Sequence, residues 1–410
     1  MKLISTRGRI LNAALFVVVA LASSSLAQPL PELAVPPAIQ QLRRHMLDAN
    51  VNTLTFHSMD KIFYTRVVGR SGRVWELPRR DVPLDFSYEF EGQKISSEAF
   101  LERTFTNALL VMKDGVIVSE IYRNLTNQDT HFMSWSMAKS ITGMLVGAAV
   151  ADGRVRSLDD KIATYLPELA GGAYRDVTIR QVMEMRSGVD YEERYDFANP
   201  GIAARNHDNA LVKNIVRFAD AARDIKRKHE PGAVFEYKTI DTAVLGWLVE
   251  RVVGTTVASY MTQKIWEPLG AEANGFFIMD GPPGVGREFT GAGFNATLRD
   301  YGRFGQMILN GGVANGSRLF SEGWVREATA PARGQEGPLG GYGYQWWTVA
   351  NTPAFMALGL QGQYIYVDPA TRTVVVKLSY FPPASEKVYP ETLEFMKAAS
   401  AWTPRATGSR

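Results

Sequence analysis

Ser136 and Lys139 stand three residues apart in the stretch FMSWSMAKSITGMLVGAAVA, and from Phe132 to Ala151 the only charged residue is Lys139. Residues at that spacing share a helix face, so a serine Oγ and a lysine Nζ can meet there. Stripping water from an ammonium costs several kcal/mol unless a partner compensates. Desolvation also lowers a lysine's pKa, and a neutral lysine can take the proton of a serine hydroxyl, which is a weak nucleophile unaided. At a first helical turn, Ser136 gains from free N–H groups that favour developing negative charge. Read alone, the pattern also fits a capping serine with a lysine reaching for solvent.

The chain carries a second copy of the spacing, Ser58-Met59-Asp60-Lys61. This lysine follows an aspartate and precedes the strand-like IFYTRVV, so it is expected to be an ordinary surface residue. Two further segments keep company with the first copy. PGAVFEY (231–237) leads through a turn into DTAVLGWLVERVVG, placing Tyr237 just before a helix. A tyrosine near a lysine can relay a proton, although a half-buried core tyrosine is the plainer alternative. GLQGQYIYVDP (359–369) is a glycine-rich entry to a strand, where backbone N–H groups can approach a substrate, or simply a strand start.

Ser136-Met-Ala-Lys139, Tyr237-Lys-Thr239 and Leu360-Gln-Gly362 follow the order of the three motifs of the penicillin-recognising serine hydrolases, the class C β-lactamases, D,D-peptidases and related esterases. SLDDKIATYLPEL, VTIRQVMEMRSGVDY and GYGYQWW also resemble segments of that family, and the resemblance spans about residues 100–400. Within it the chain looks closest to the 6-aminohexanoate-dimer hydrolase branch. The resemblance implies Ser136 as nucleophile with Lys139 and Tyr237 as its catalytic partners, and an oxyanion hole from the N–H groups of Ser136 and Gln363. It also implies substrate contacts from the loop DYEERYDFANPG, with Tyr195 and Asp196 as candidates beside the reading of a solvated acidic loop. Thr239, Gln361 and Gly362 join the substrate-binding set through the motifs.

Two departures bear on substrate. Leu360 stands where β-lactamases and D,D-peptidases carry a lysine that helps bind a carboxylate, and Thr239 stands where an asparagine is usual. Losing a cation and an amide donor argues against β-lactam or D-Ala-D-Ala recognition and for an esterase or amidase acting on a small molecule. A β-lactamase, a D,D-peptidase and a silent binding protein of the same fold remain the rivals. If GYGYQWWTV is a strand, Trp346 and Trp347 alternate faces, one packing inside and one lining the cleft; alternation does not say which, and Trp346 is carried as the substrate-binding candidate.

The elements that must position these residues follow from pattern. NALLVMKDGVIVSEIYRN reads as a hairpin around Asp114-Gly115. Helical periodicity runs through 136–151, 178–188, 241–253, 257–269 and 298–312. GYGYQWWTV, GQYIYVD and TVVVKLSY read as strands, with a last helix near 389–402. The fold class is thus α/β of the α+β type: an antiparallel sheet from about 105–125 and 340–400, flanked by helices, with a mainly helical insertion at about 150–325. The resemblance makes it β-lactamase/D,D-peptidase-like, with a hydrolase domain over 101–405.

Composition narrows the classes. Residues 1–27 read as a signal peptide, with basic residues before the apolar Ala13–Ala22 and a small-x-small site at Ser25-Leu26-Ala27. About ten apolar residues fall short of the roughly 20 that span a bilayer, so no stable membrane insertion is expected once the signal is removed. Export to the periplasm or medium is the expectation. With Lys2, Arg7 and Arg9 gone, the 45 Lys and Arg fall to 42, matching the 42 Asp and Glu, so nothing points to nucleic acid. Residues 28–40 are proline-rich and read as a tether, with 41–100 an N-terminal extension. Zero cysteines exclude thiolate chemistry, and His45, His57, His131, His207 and His229 show no His-Glu-x-x-His spacing. No Gly-x-Ser-x-Gly elbow supports a Ser-His-Asp triad. PPGVGRE (282–288) lacks the lysine-serine ending of a phosphate loop. No metal or cofactor is expected; the oligomeric state is not legible.

Overall fold

The computed structural model describes residues 35–332, 339–385 and 387–405. The expected signal at 1–27 and residues 28–34 of the proline-rich segment lie outside the described residues. Where the tether reading can be compared, it is corrected: helix α1 (Pro37–His45) starts on a proline, whose fixed φ suits a first helical position. The boundary at residue 100 is not structural either. Met46, Phe56, Met59, Ile62, Phe63 and Val68 join the main core, and Thr65–Val68 pairs antiparallel with Gly275–Ile278 in a four-stranded sheet.

Strands β1 (Thr106–Lys113) and β2 (Val116–Tyr122) form the expected hairpin, with Asp114 and Gly115 both at positive φ. Helices α2 (Met137–Ala151), α3 (Thr239–Val253) and α4 (Leu298–Leu309) follow. The chain then returns to strand as β3 (Gly341–Tyr342), β4 (Trp347–Thr348), β5 (Phe355–Gly359), β6 (Gln363–Asp368) and β7 (Thr373–Ser379), before helix α5 (Val388–Ala401). The seven strands lie in the order β3-β4-β5-β6-β7-β1-β2, all neighbours antiparallel. The two ends of the chain meet where Val376 of β7 faces Leu110 of β1.

Both faces of this sheet are covered. Leu110, Met112, Ile365, Val374 and Val376 join the core under the helical layer, while Leu109, Val111, Tyr364, Tyr366 and Val375 join a second cluster with Phe395 and Met396 of α5. Residue parity divides the two sets, as the pleat requires. Burial on both faces is why the central strands read as unbroken apolar runs.

Three segments depart from expectation. The helix expected over 178–188 spans only Ile179–Met183, opened by a capping box between Thr178 and Gln181. Met185 and Gly188, both at positive φ, turn the chain away. The helix expected over 257–269 is broken into Val257–Met261, a wider turn over Thr262–Trp266 and Glu267–Leu269. GYGYQWWTV is not one strand. It folds back on itself, Tyr342 opposite Trp347, with Gln345 left-handed between them.

Candidate active site

The chain reaches Ser136 through a sharp turn. Trp135 holds φ 44°, a conformation that bulky side chains occupy only at a cost of about 1–3 kcal/mol. Its ring is buried edge-on against Phe56 at 5.3 Å, which fixes the turn. Ser136 then enters α2 with helical dihedrals. On the other side β5 comes close: a Cβ at Gly359 would lie 2.3 Å from the carbonyl oxygen of Ser134, so glycine is needed for the strand to approach.

Lys139 is 1% exposed, and its Nζ donates to Ser136 Oγ (3.0 Å), Thr239 Oγ1 (3.0 Å) and the carbonyl oxygen of Gly291 (2.8 Å). None of these partners is a carboxylate. Burial pulls its pKa down to about 8, opposed by the nearby charge of Glu193. Thr239 is the first residue of α3. Gly291 allows the segment behind it to approach, since a Cβ there would lie 2.6 Å from Thr239 Cγ2.

Tyr237 stands two residues before α3. Its ring stacks on Trp347 (centroids 5.5 Å) and lies 4.9 Å from Lys139 Nζ. Burial pushes its hydroxyl well above the usual phenol range, and a hydrogen bond with Ser136 opposes this. The hydroxyl therefore keeps its proton near neutrality.

Glu193 is the residue that the sequence reading missed. Its Oε1 accepts from Thr239 Oγ1 (2.5 Å) and Tyr195 Oη (2.6 Å), and its Oε2 accepts from the Thr239 N–H (2.9 Å) at the start of α3. It sits two residues from Tyr195 on an irregular segment, where the Arg194 N–H donates to the Glu192 carbonyl in a tight turn centred on Glu193. No periodicity in the sequence signals it. Asp196 is corrected: it does not line the cavity. Asp196 accepts from the N–H groups of Ala198 and Asn199 and pairs with Arg194, tying its own loop.

Ser136 opens onto a cavity of about 300 Å³ whose wall is mostly apolar, including Met46, Leu47, Phe289, Trp347, Leu358 and Leu360. Tyr195, Tyr237, Thr239 and Glu193 also line it, as do Phe197 and His207. Burial lowers the His207 pKa to about 4, so the ring is neutral near pH 7. Helix α1 and the residues after it supply Arg43, Arg44, Met46 and Leu47 as one wall, a contribution from long range that no local motif signals.

Four candidates lie elsewhere. Trp346 is fully buried against Phe304 and Phe355, and it is Trp347 that reaches the cavity. Gln363 is buried on β6 and does not reach the wall; its amide donates to the carbonyls of Leu360, Gln361 and Ser379, holding the hairpin loop. Gln361 is left-handed and donates from Nε2 to the Leu47 carbonyl, and Gly362, also at positive φ, packs against Ser379 and Phe381. The loop residue at the cavity is Leu360. Neither its N–H nor that of Ser136 has a protein acceptor among the described residues. Lys61 behaves as expected: its side chain is 79% exposed and paired with Asp60.

Among the described residues no group of three or more His, Cys, Asp or Glu is placed to hold a metal, and no helix is long and apolar enough to cross a membrane.

An antiparallel sheet with helices on both faces and a Ser-x-x-Lys pair at a helix entry defines the β-lactamase and penicillin-binding-protein fold. The beta-lactamase family model matches residues 99–389, and the chain belongs to that family. It is 33% identical over 300 residues to the 6-aminohexanoate-dimer hydrolase of Paenarthrobacter ureafaciens, covering 70% of this chain and 75% of that one. It is 29% identical over 203 residues to esterase EstB of Burkholderia gladioli, 44% of this chain and 50% of that one. A Bacillus anthracis structure assigned provisionally as a 6-aminohexanoate-dimer hydrolase superposes with a TM-score of 0.78 at 25% identity, over 88% of this chain and 96% of that one.

Proposed function

We propose that the protein is an exported serine hydrolase that cleaves a neutral ester or amide through an acyl-enzyme on Ser136. The observation that carries this reading is Lys139, buried beside Ser136 Oγ with only neutral oxygens in contact. A lysine with its pKa near 8 is substantially neutral at mildly alkaline pH and can accept the serine proton. Tyr237, whose pKa moves the other way, serves as proton donor and relay. As the Ser136 Oγ–carbon bond forms, the proton passes to Lys139 and the carbonyl electron pair moves onto oxygen. The N–H groups of Ser136 and Leu360 receive that oxyanion, a contribution of about 3 kcal/mol for each such donor. The leaving group takes a proton through Tyr237 or Lys139 and departs, and water then hydrolyses the acyl-enzyme.

The cavity wall supports a neutral substrate. Arg43 is buried, giving Nε to the Ile62 carbonyl and Nη1 to the carbonyls of Leu211 and Val212 and to Asn214 Oδ1, and Arg44 pairs through Nε with Asp208. Leu358 on β5 and Leu360 in the loop after it bring no cation to the cavity. Apolar lining with few convergent polar groups suits a small acyl compound. Export rests on the signal pattern at 1–27 alone.

Intact-mass measurement after a fluorophosphonate probe tests the nucleophile: one adduct on the wild type and none on Ser136→Ala are expected. An adduct that persists in Ser136→Ala rejects the assignment. Hydrolysis of a chromogenic cephalosporin as fast as the best p-nitrophenyl ester rejects the substrate preference.

A further inference from the structure

Glu193 touches neither Ser136 nor Lys139, yet three donors converge on it: the Thr239 N–H, the Thr239 hydroxyl and the Tyr195 hydroxyl. A carboxylate only accepts, so each of these bonds has one possible direction. The consequence falls on Thr239. A threonine hydroxyl has one proton, and Glu193 holds it at 2.5 Å. Thr239 Oγ1 can therefore offer Lys139 only a lone pair, and Lys139 must donate to it. The Gly291 carbonyl, 2.8 Å from Nζ, likewise accepts only.

A neutral lysine has two N–H bonds and one lone pair. With both N–H bonds committed to Thr239 Oγ1 and the Gly291 oxygen, the lone pair has one direction left, toward Ser136 Oγ at 3.0 Å. That is the orientation proton transfer requires. We propose that Glu193 is a positioning residue that fixes the direction of the Thr239 hydrogen bond and so aims the Lys139 lone pair at Ser136. The inference rests on the hydrolase reading above.

Without the carboxylate, the Thr239 proton is free to turn toward Lys139 and engage the lone pair that should face Ser136. Glu193→Gln keeps the shape and removes the constraint, since an amide can accept from the Thr239 N–H while donating to Oγ1. An asparagine at 239 would present an amide oxygen to Lys139, an acceptor that needs no neighbour to fix its direction.

The test is the pH profile of kcat and KM for a p-nitrophenyl ester in the wild type, Glu193→Gln, Thr239→Asn and the double variant, with Tm recorded for each. The titratable groups facing Lys139 are Glu193 and Tyr237. Removing the negative charge should move the rising limb of kcat to lower pH, because Glu193 raises the lysine's pKa. The plateau should nonetheless fall by about 30-fold or more with KM little changed, part of the roughly 10²–10⁴-fold that a positioned general base contributes. In the Thr239→Asn background the same Glu193→Gln change should cost less than about threefold, because the oxygen there cannot reverse. A wild-type plateau retained in Glu193→Gln overturns the inference, as does an equal penalty in both backgrounds, which would mark a structural role. Failure of the hydrolase reading is distinguishable: the wild type itself would then turn over no ester.

Discussion

The chain contains two Ser-x-x-Lys pairs with identical spacing and opposite fates. Ser58 and Lys61 lie on a single turn of helix near the surface, with the Lys61 side chain 79% exposed and its Nζ 2.5 Å from Asp60. Ser136 and Lys139 lie at the entry to a helix whose first thirteen residues are all buried, and Lys139 is 1% exposed. The first lysine has water and a carboxylate to keep it charged. The second has a hydroxyl, another hydroxyl and a carbonyl. Spacing brings a lysine to a serine; desolvation without a contacting carboxylate is what suits the second lysine to the role of base proposed for it.

The most direct way to break the contrast is Ser136→Ala, which should lower kcat/KM by about 10⁴-fold in an ester assay. A variant within tenfold of wild type would mean that the chemistry lies elsewhere. Lys139→Ala should follow with a loss of about 10³-fold while the circular dichroism spectrum stays that of the wild type. The lysine also leaves a thermodynamic mark. Its folded pKa of about 8 lies below the ordinary lysine value of 10.5, so between those pH values the unfolded chain binds the extra proton and stability rises with pH. Urea unfolding should show a rise from pH 8 to 10 that is smaller in Lys139→Met by about 2 kcal/mol. An equal rise in both proteins would place the lysine in water.

Trp347→Ala sharpens the comparison by admitting water to the buried pair. Trp347 stacks on Tyr237 and lines the cavity. Its loss should cost about tenfold in kcat/KM and move the kinetic pKa upward, toward that of an exposed lysine. Lys61→Ala should change activity and stability least, by no more than about 0.5 kcal/mol in urea titration. A larger effect would mean that exposure is a poor guide to which copy matters.

The sequence made legible what is local. Ser136, Lys139 and Tyr237 stand on or just before helices whose apolar composition is visible in one window, and Thr239 follows from the motif that holds Tyr237. The seven-stranded sheet was readable from both ends of the chain, because its central strands are long and apolar. The misses share a physical cause. Glu193 lies two residues from Tyr195 and three from Asp196, and Trp347 lies next to Trp346; choosing between such neighbours requires knowing which side of each segment faces the cavity. The reversal at Gln345 hides that parity in GYGYQWW. The resemblance implies an oxyanion N–H on the strand after the third motif, at Gln363; the three-residue loop before that strand puts Leu360 at the wall instead. Helix α1 reaches the site by tertiary packing alone, and a proline-rich prelude disguised it as a tether.

The central claim, that burial turns Lys139 into the base for Ser136, is most directly tested by the rate of Ser136 phosphonylation by a fluorophosphonate as a function of pH. The rate should rise as Lys139 loses its proton, with a midpoint near 8. The limb should vanish in Lys139→Ala and persist in Lys61→Ala. A midpoint at 10 or above, or a limb that survives in Lys139→Ala, would contradict the claim.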